Sequence, residues 1–441
     1  MKKSLSCVNM YTGRTANPNY LKEEEKAGSI RQKTAKELMH MSMQDEFVFT
    51  LPKVEGPGGD LYASPKAYFN GSADMWHANM VMGFTVVQHE ALVDIPHVHH
   101  AVEEIYMFSG KDVAKFFDFD AEIEIWIGEN PDRMEKYVIT KPTLVRIPAR
   151  MWHGPINYKR VGKPVAFSAV YMNGERSKIT RRVNDDGTVE FPYVGSSLKR
   201  CVLDRTKSCS NCGRCLKVSK ENGTPHPRIN FALEWAKEIA ESEPAPHSGK
   251  YDGLFFEYPV EYHNYGDTYA NPRGKFRGIL QLPEVNFFGG FSVVMAPHHM
   301  EVPHCHHARD EYLWFSGSDL SDPFGSFDAE ITVEMGWDPD HMETVTITEP
   351  SVIRVPPNMW HCPINFKRID KPMAFFPFYG DGDWSKIIRK QTADGDYEYL
   401  FEAASLRKCV YNHDKLCMYC GKCAKDDSVP SFGIFPYEKK K

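Results

Sequence analysis

The chain contains one sequence pattern twice, and this duplication restricts its fold more than any other feature. Residues 96–100 and 103–110 read PHVHH and EEIYMFSG, and residues 303–307 and 310–317 read PHCHH and DEYLWFSG. The second copy begins 207 residues after the first. A period of this length indicates a duplicated domain and excludes a solenoid of short repeats.

Length and composition indicate a globular protein that acts on small molecules. At about 150 residues per domain, 441 residues allow roughly three domains, and the duplication makes two the better number. No run approaches the ~18 apolar residues of a membrane span. The net charge is -6 and no basic stripe is present, so we expect neither nucleic acid nor membrane as a partner. Polar residues such as Asn9 and Thr12 interrupt any signal peptide, which predicts a cytoplasmic location.

The pattern of apolar residues and turns divides the chain into seven segments. They are an N-terminal arm (1–59), a first strand-rich domain (60–200), a four-cysteine motif (201–216), a connector with a helix (217–250), a second strand-rich domain (251–408), a second four-cysteine motif (409–424) and a C-terminal tail (425–441). Short alternations such as 123–127 (IEIWI) between turn residues predict a sandwich or barrel. We predict helices over 31–41 in the arm and 231–241 in the connector, the latter ended by Pro244.

Each copy offers three histidines and an acid as metal ligands. His97 and His99 are two residues apart in a predicted strand, so their side chains share a face, and Glu104 opens the next strand. His153 is the fourth candidate in this copy. The second copy has His304, His306, Glu311 and His361. Three imidazoles and a carboxylate suit a divalent transition metal, with manganese or iron favoured and zinc or nickel as alternatives, and open positions would make the site catalytic.

Two motifs in each half resemble those of the cupin family. The run from Pro96 to Gly110 is similar to the first cupin motif, and residues 148–157 resemble the second, with Arg150 where the family often has glycine. The second half repeats both, so residues 60–408 resemble a bicupin. This resemblance implies a mainly β protein with tandem duplicated cupin barrels (double-stranded β-helices or jelly rolls), to which the sequence adds small cysteine-rich metal motifs and few helices.

The identity of the acidic ligand stays open between neighbouring residues. Both halves have glutamate at the second position, Glu104 and Glu311, which favours these two. Glu103, with three residues between it and His99, has the spacing commoner in the family. Asp310 holds the same position in the second half. The upstream histidines, His298 among them, lack ligand spacing and are interpreted as solvated or hydrogen-bonded residues.

Eight cysteines form two further candidate metal sites. Both sets have the spacing C-x7-C-x2-C-x2-C, and they comprise Cys201, Cys209, Cys212 and Cys215, then Cys409, Cys417, Cys420 and Cys423. In a cytoplasmic protein such clusters bind metals more often than they form disulfides. We favour a [4Fe-4S] cluster at each, with zinc as the competitor. Stapling the end of each domain is the favoured role, and electron relay is the alternative.

The predicted metal sites favour an enzyme. Three neutral imidazoles and one carboxylate leave a divalent ion with net positive charge, which would attract an anionic or enolisable substrate. We predict a lyase, decarboxylase or C–C hydrolase acting on an oxo acid, hydroxy acid or cyclic β-diketone, in an anaerobe if the cysteines hold iron–sulfur clusters. An iron-dependent dioxygenase and a non-catalytic binding or storage bicupin are the alternatives. Bicupins resemble a cupin dimer fused in one chain, and a homo-oligomer of the whole chain is compatible with the sequence.

Overall fold

The computed structural model describes most of the chain. The described residues are 42–54, 60–174, 176–184, 186–195, 233–262, 266–409, 411–417 and 434–436. The predicted helix over 31–41, the first four-cysteine motif, and Cys420 and Cys423 of the second motif lie outside them.

Strands dominate the described residues. Those of the first half are β1 (Val48–Thr50), β2 (Lys53–Val54), β3 (Lys66–Phe69), β4 (Val81–Val87), β5 (Ala91–Val93), β6 (His97–Val98), β7 (Glu104–Gly110), β8 (Ala121–Gly128), β9 (Glu135–Ile139), β10 (Thr143–Ile147), β11 (Trp152–Val161), β12 (Val165–Tyr171), β13 (Ser177–Thr180), β14 (Arg182–Val183), β15 (Val189–Glu190) and β16 (Tyr193–Gly195). Those of the second half are β17 (Phe255–Glu257), β18 (Lys275–Phe276), β19 (Phe288–Gly290), β20 (Ser292–Val294), β21 (His298–Met300), β22 (His304–Cys305), β23 (Glu311–Gly317), β24 (Ala329–Gly336), β25 (Glu343–Ile347), β26 (Ser351–Val355), β27 (Trp360–Ile369), β28 (Met373–Tyr379), β29 (Ser385–Gln391), β30 (Tyr397–Ala403), β31 (Lys408–Cys409), β32 (Asn412–Leu416) and β33 (Ile434–Pro436). The mainly β class is therefore confirmed.

Helices are few among these residues. The α-helices are α1 (Met43–Phe47) and α2 (Leu233–Glu241), and α2 matches the predicted connector helix. Single 3-10 turns span Gly71–Ala73, Val113–Lys115, Asp252–Leu254, Gly266–Thr268, Gly278–Leu280 and Ala404–Leu406. No helix in the described part of the chain is long and apolar enough to cross a membrane.

Four large antiparallel sheets form two barrels. In the first barrel, one sheet has the order β17-β10-β7-β12-β4-β3-β2, and the other has the order β16-β13-β6-β11-β8-β9 with β5 on β11. In the second barrel, one sheet has the order β1-β26-β23-β28-β19-β18 with β20 on β28, and the other has the order β25-β24-β27-β22-β29-β30 with β21 on β27. Both sheets of each barrel bury one face against the other, which is the packing expected of a jelly roll.

The barrels exchange edge strands and share a hydrophobic core. β1, from the N-terminal side, pairs with β26 of the second barrel, and β17, which follows the connector, pairs with β10 of the first. Between the barrels, the Phe84 ring lies 5.3 Å from the rings of Trp314 and Phe376, and all three are buried. Each barrel is therefore completed by a strand from the other half of the sequence.

Candidate metal centres

The first barrel brings together the four residues predicted from its sequence motifs. His97 lies on β6, His153 lies opposite it on β11, and Glu104 begins β7 in the facing sheet. Their ligand atoms and that of His99 all lie within 4.8 Å of one another, and all four side chains are buried. The alternative acid, Glu103, points elsewhere, since it accepts a hydrogen bond from Arg146 Nε at 2.6 Å.

The second barrel repeats this arrangement. His304 on β22 lies opposite His361 on β27, and His306 and Glu311 complete a buried group within the same 4.8 Å limit. His306 Nε2 and His361 Nε2 lie 3.1 and 3.0 Å from Glu311 Oε2. Asp310, the alternative acid, pairs with Arg354 at 2.9 Å. The two groups are therefore equivalent in sequence and in geometry.

Backbone carbonyls fix how the histidine rings point. Nδ1–H of His97 donates to the Ile95 carbonyl at 2.6 Å, and that of His153 to Met151 at 2.9 Å. His99 makes the same kind of bond to Ser177. A carbonyl only accepts, so Nδ1 carries a proton, and Nε2 is the nitrogen that each ring presents to the centre.

The same tautomer is set in the second barrel. The Nδ1–H groups of His304, His306 and His361 donate to the carbonyls of Val302 at 2.7 Å, Ser385 at 2.6 Å and Met359 at 3.4 Å. All six rings are thus oriented by the main chain, which is the usual arrangement of histidines that bind metals.

A tight turn before the closing histidine positions His99 and His306. Arg150 and Asn358 adopt positive φ values of 67° and 66°, a region that favours glycine. Their amides donate to the carbonyls of His99 at 2.7 Å and His306 at 2.6 Å. The residue that departs from the cupin motif therefore keeps the glycine-type conformation and holds a ligand in place.

The electrostatics of both groups fit a cation. Burial lowers the pKa values of His97 and His304 well below the usual range, which keeps their rings neutral. Burial opposes ionisation of Glu311, but His306 and His361 outweigh it and lower its pKa to about 2. In the first barrel, His97 Nε2 and Glu104 Oε1 are buried without a hydrogen-bond partner among the described residues. Lone pairs and a carboxylate that face one another in this way are compensated by a metal ion.

A cavity opens on the second group. It has a volume of about 170 Å³, and its walls include His304, Glu311 and His361. Other residues in the walls are Tyr269, Arg273, Lys275, Trp384 and Arg407. A ligand in this cavity would therefore touch both the metal group and several cationic side chains.

Sequence reasoning did not assign a role to Tyr269 and His298. The Tyr269 hydroxyl lies 2.7 Å from His298 Nε2, and His298 Nδ1 lies 2.9 Å from the Ala296 carbonyl. His298 is buried and lies apart from the four ligands, as predicted for a hydrogen-bonded histidine. Tyr269 lies in a segment before β18, and the fold brings it to the His298 ring on β21. No sequence motif predicts this pair.

The structure describes two of the eight cysteines in the two four-cysteine motifs. Cys409 and Cys417 are half-buried and lie on either side of β32. The other six cysteines of the two motifs lie outside the described residues. Iron–sulfur or zinc binding at these motifs stays a prediction.

Comparison with known proteins gives structural similarity alone. No family model and no curated protein matches the chain. Solved structures of oxalate decarboxylase from Bacillus subtilis are similar. One is 11% identical with a TM-score of 0.45, and another, from work on the Mn(II) centres of that enzyme, is 12% identical with a TM-score of 0.43. Each similarity covers 77% of this chain and 78% of the other. At this level of identity the similarity establishes no substrate for this chain.

Proposed function

We propose that this protein is a metal-dependent enzyme that cleaves or rearranges a small chelating oxygenated acid in its second barrel, by decarboxylase, lyase or C–C hydrolase chemistry. The proposal depends on one observation. The candidate ligands His304, Glu311 and His361 line the same cavity as several cationic side chains. A ligand group of this kind with space beside it has the form of a catalytic rather than a structural metal site.

The four residues of the second group would hold a divalent metal by three imidazole nitrogens and one carboxylate oxygen. When bound, such an ion polarises a chelated carbonyl and makes the adjacent C–C bond easier to break. The chain's own contribution is position, because main-chain carbonyls fix the rings of His304, His306 and His361 before any ligand arrives. Little reorganisation is then needed on binding.

Tyr269 and His298 supply a group that can move a proton. Burial lowers the pKa of His298 to about 4, so its ring is neutral near pH 7 and accepts the Tyr269 O–H. The Tyr269 oxygen can take a proton from the substrate while its own proton passes to His298, and the transfer reverses when the product carbanion is protonated. The Arg273 guanidinium, 5.2 Å from the Tyr269 ring centre, stabilises negative charge that develops there.

Anaerobic turnover assays test this function. The protein is purified without oxygen, loaded with Mn(II) or Fe(II), and incubated with small oxo acids, hydroxy acids, dicarboxylates and cyclic β-diketones while CO2, products and dissolved O2 are measured. We expect cleavage or rearrangement of at least one of these compounds without oxygen. Turnover that requires and consumes O2 would instead identify a dioxygenase, and tight binding without turnover of any compound would identify a binding protein.

A further inference from the structure

Three cationic side chains contribute to the wall of the second-barrel cavity. Arg273 and Lys275 come from the segment that leads into and opens β18, and Arg407 follows the 3-10 turn after β30. The carboxylates in the same cavity are Glu301 and the ligand Glu311. Cations therefore exceed acids in this lining even before a metal is counted.

Lys275 is the member of this wall that lacks a counter-ion. Its side chain is half-buried and makes no hydrogen bond or ion pair with any residue that the structure describes. Nearby Glu261 is bound at both oxygens by Arg277, and Glu301 pairs with Lys386 at 2.8 Å. Burial and then the charges of Arg277, Arg273 and Arg407 lower the pKa of Lys275 well below its usual range. Glu261 opposes this shift, but the three cations outweigh it, so a bound anion would stabilise the Lys275 ammonium.

The size of the cavity restricts the anion. A volume of about 170 Å³ is close to the ~150 Å³ cavity that holds benzene, so a ligand of roughly six to nine non-hydrogen atoms fits. Because the metal group and the three cations line the same cavity, a ligand of this size can carry one charged group for each. We propose that the second barrel binds a small dicarboxylate, with one end at the metal held by His304, His306, Glu311 and His361 and the other carboxylate at Lys275. This inference rests on the proposed function and adds the class of substrate.

The first barrel has a different residue at the position of Lys275. Lys275 pairs with Gly290 across β18 and β19, and the equivalent pair in the first barrel is Tyr68 with Gly83. A phenol therefore stands where the second barrel has its ammonium. Lys66 of the first barrel, whose pKa is lowered to about 8 by burial and then by Arg176, is a matched lysine outside the proposed site.

Calorimetric titration of the Mn(II)-loaded protein with malonate tests the inference, with acetate and the uncharged diamide malonamide as comparison ligands. In the unmodified protein we expect malonate to bind at least about tenfold more tightly than either comparison ligand. Lys275→Met keeps the length of the side chain without its charge, and should weaken malonate binding by about 10- to 100-fold while acetate binding stays the same. Lys66→Met should leave malonate binding within about twofold.

Metal content, measured on the same samples, separates the possible failures. If the unmodified protein holds no metal at His304, His306, Glu311 and His361, the proposed function fails and the inference fails with it. If it holds metal but shows no preference for malonate over acetate and malonamide, the inference alone is overturned, whether or not the Lys275 variant folds. Equal malonate affinity in folded Lys275→Met and unmodified protein would also overturn it.

Discussion

The two barrels hold the same four ligands but surround them differently. In the first barrel the buried hydroxyls of Tyr106 and Tyr158 have no hydrogen-bond partner among the described residues. At the equivalent positions the second barrel has Leu313 and Phe366, which have no polar side-chain atoms. The second barrel has Lys275 in its cavity wall, where the first barrel has Tyr68. Equivalent metal groups can therefore serve different purposes because the residues around them, and not the ligands, have diverged.

Substituting the ligand carboxylates one at a time gives the largest expected difference between the barrels. Glu311→Gln should lower turnover by about 10³-fold or more, because metal polarisation contributes several kcal/mol to catalysis. Glu104→Gln should lower it by less than about tenfold. Turnover and metal content of both variants are measured together. Equal losses of turnover would show that the first barrel is also catalytic.

Neighbouring acids in one barrel should behave in opposite ways. Glu103→Gln removes the closer of the two acidic partners of half-buried Arg146 and leaves only the exposed Glu284 at 3.4 Å. It should lower the free energy of unfolding by about 1 to 3 kcal/mol, with metal content unchanged. Glu104→Gln should instead remove the metal of that barrel. Denaturant unfolding and elemental analysis distinguish the two effects. Loss of metal from the Glu103→Gln protein would show that Glu104 has been assigned wrongly as the acidic ligand.

The matched tyrosines Tyr269 and Tyr62 test whether proton transfer belongs to the second barrel. Tyr269→Phe should lower kcat by about 10²-fold with metal content intact, because a positioned acid or base contributes at least that much. Tyr62→Phe should change kcat by less than about twofold. A Tyr269→Phe variant with normal kcat would remove the Tyr269–His298 pair from the reaction.

The smallest expected effect is on stability at acid pH. His298 has a pKa of about 4 in the folded protein and about 6.5 when unfolded, so the unfolded chain takes up its proton first. Stability contributed by neutral His298 is fully present above pH ~6.5 and is lost as the pH falls toward about 4, by at most roughly 3 kcal/mol. Thermal unfolding measured across this pH range should show a smaller loss of stability in His298→Phe than in the unmodified protein. An identical pH profile in both proteins would contradict the depressed pKa.

Local sequence signals predicted which side chains come together in each barrel, because the grouping depends on short-range geometry. Alternation along a strand places His97 beside His99, and the repetition of glutamate in both copies identifies Glu104 over Glu103. The turn at Arg150 shows why one departure from the cupin motif is harmless, since the conformation is kept without glycine.

The parts that escaped prediction depend on contacts between distant segments. The pairing of β1 with β26 and of β17 with β10 crosses from one half of the sequence to the other, and nothing local in those strands specifies the partner. The same is true of Tyr269 with His298, and of Lys275 in the cavity wall. Lysine in an edge strand is common, and this one is distinguished by a half-buried side chain that forms no ion pair within the described part of the chain.

Elemental analysis of anaerobically prepared protein, compared among the unmodified chain, Glu104→Gln, Glu311→Gln and the double variant, tests the central claim most directly. Any metal at the cysteine motifs is common to all four samples and cancels in the differences. We predict that each single variant loses one divalent ion per chain and that the double variant loses two, one for each buried group of three histidines and a glutamate. Identical metal content in all four proteins would contradict metal binding by these groups.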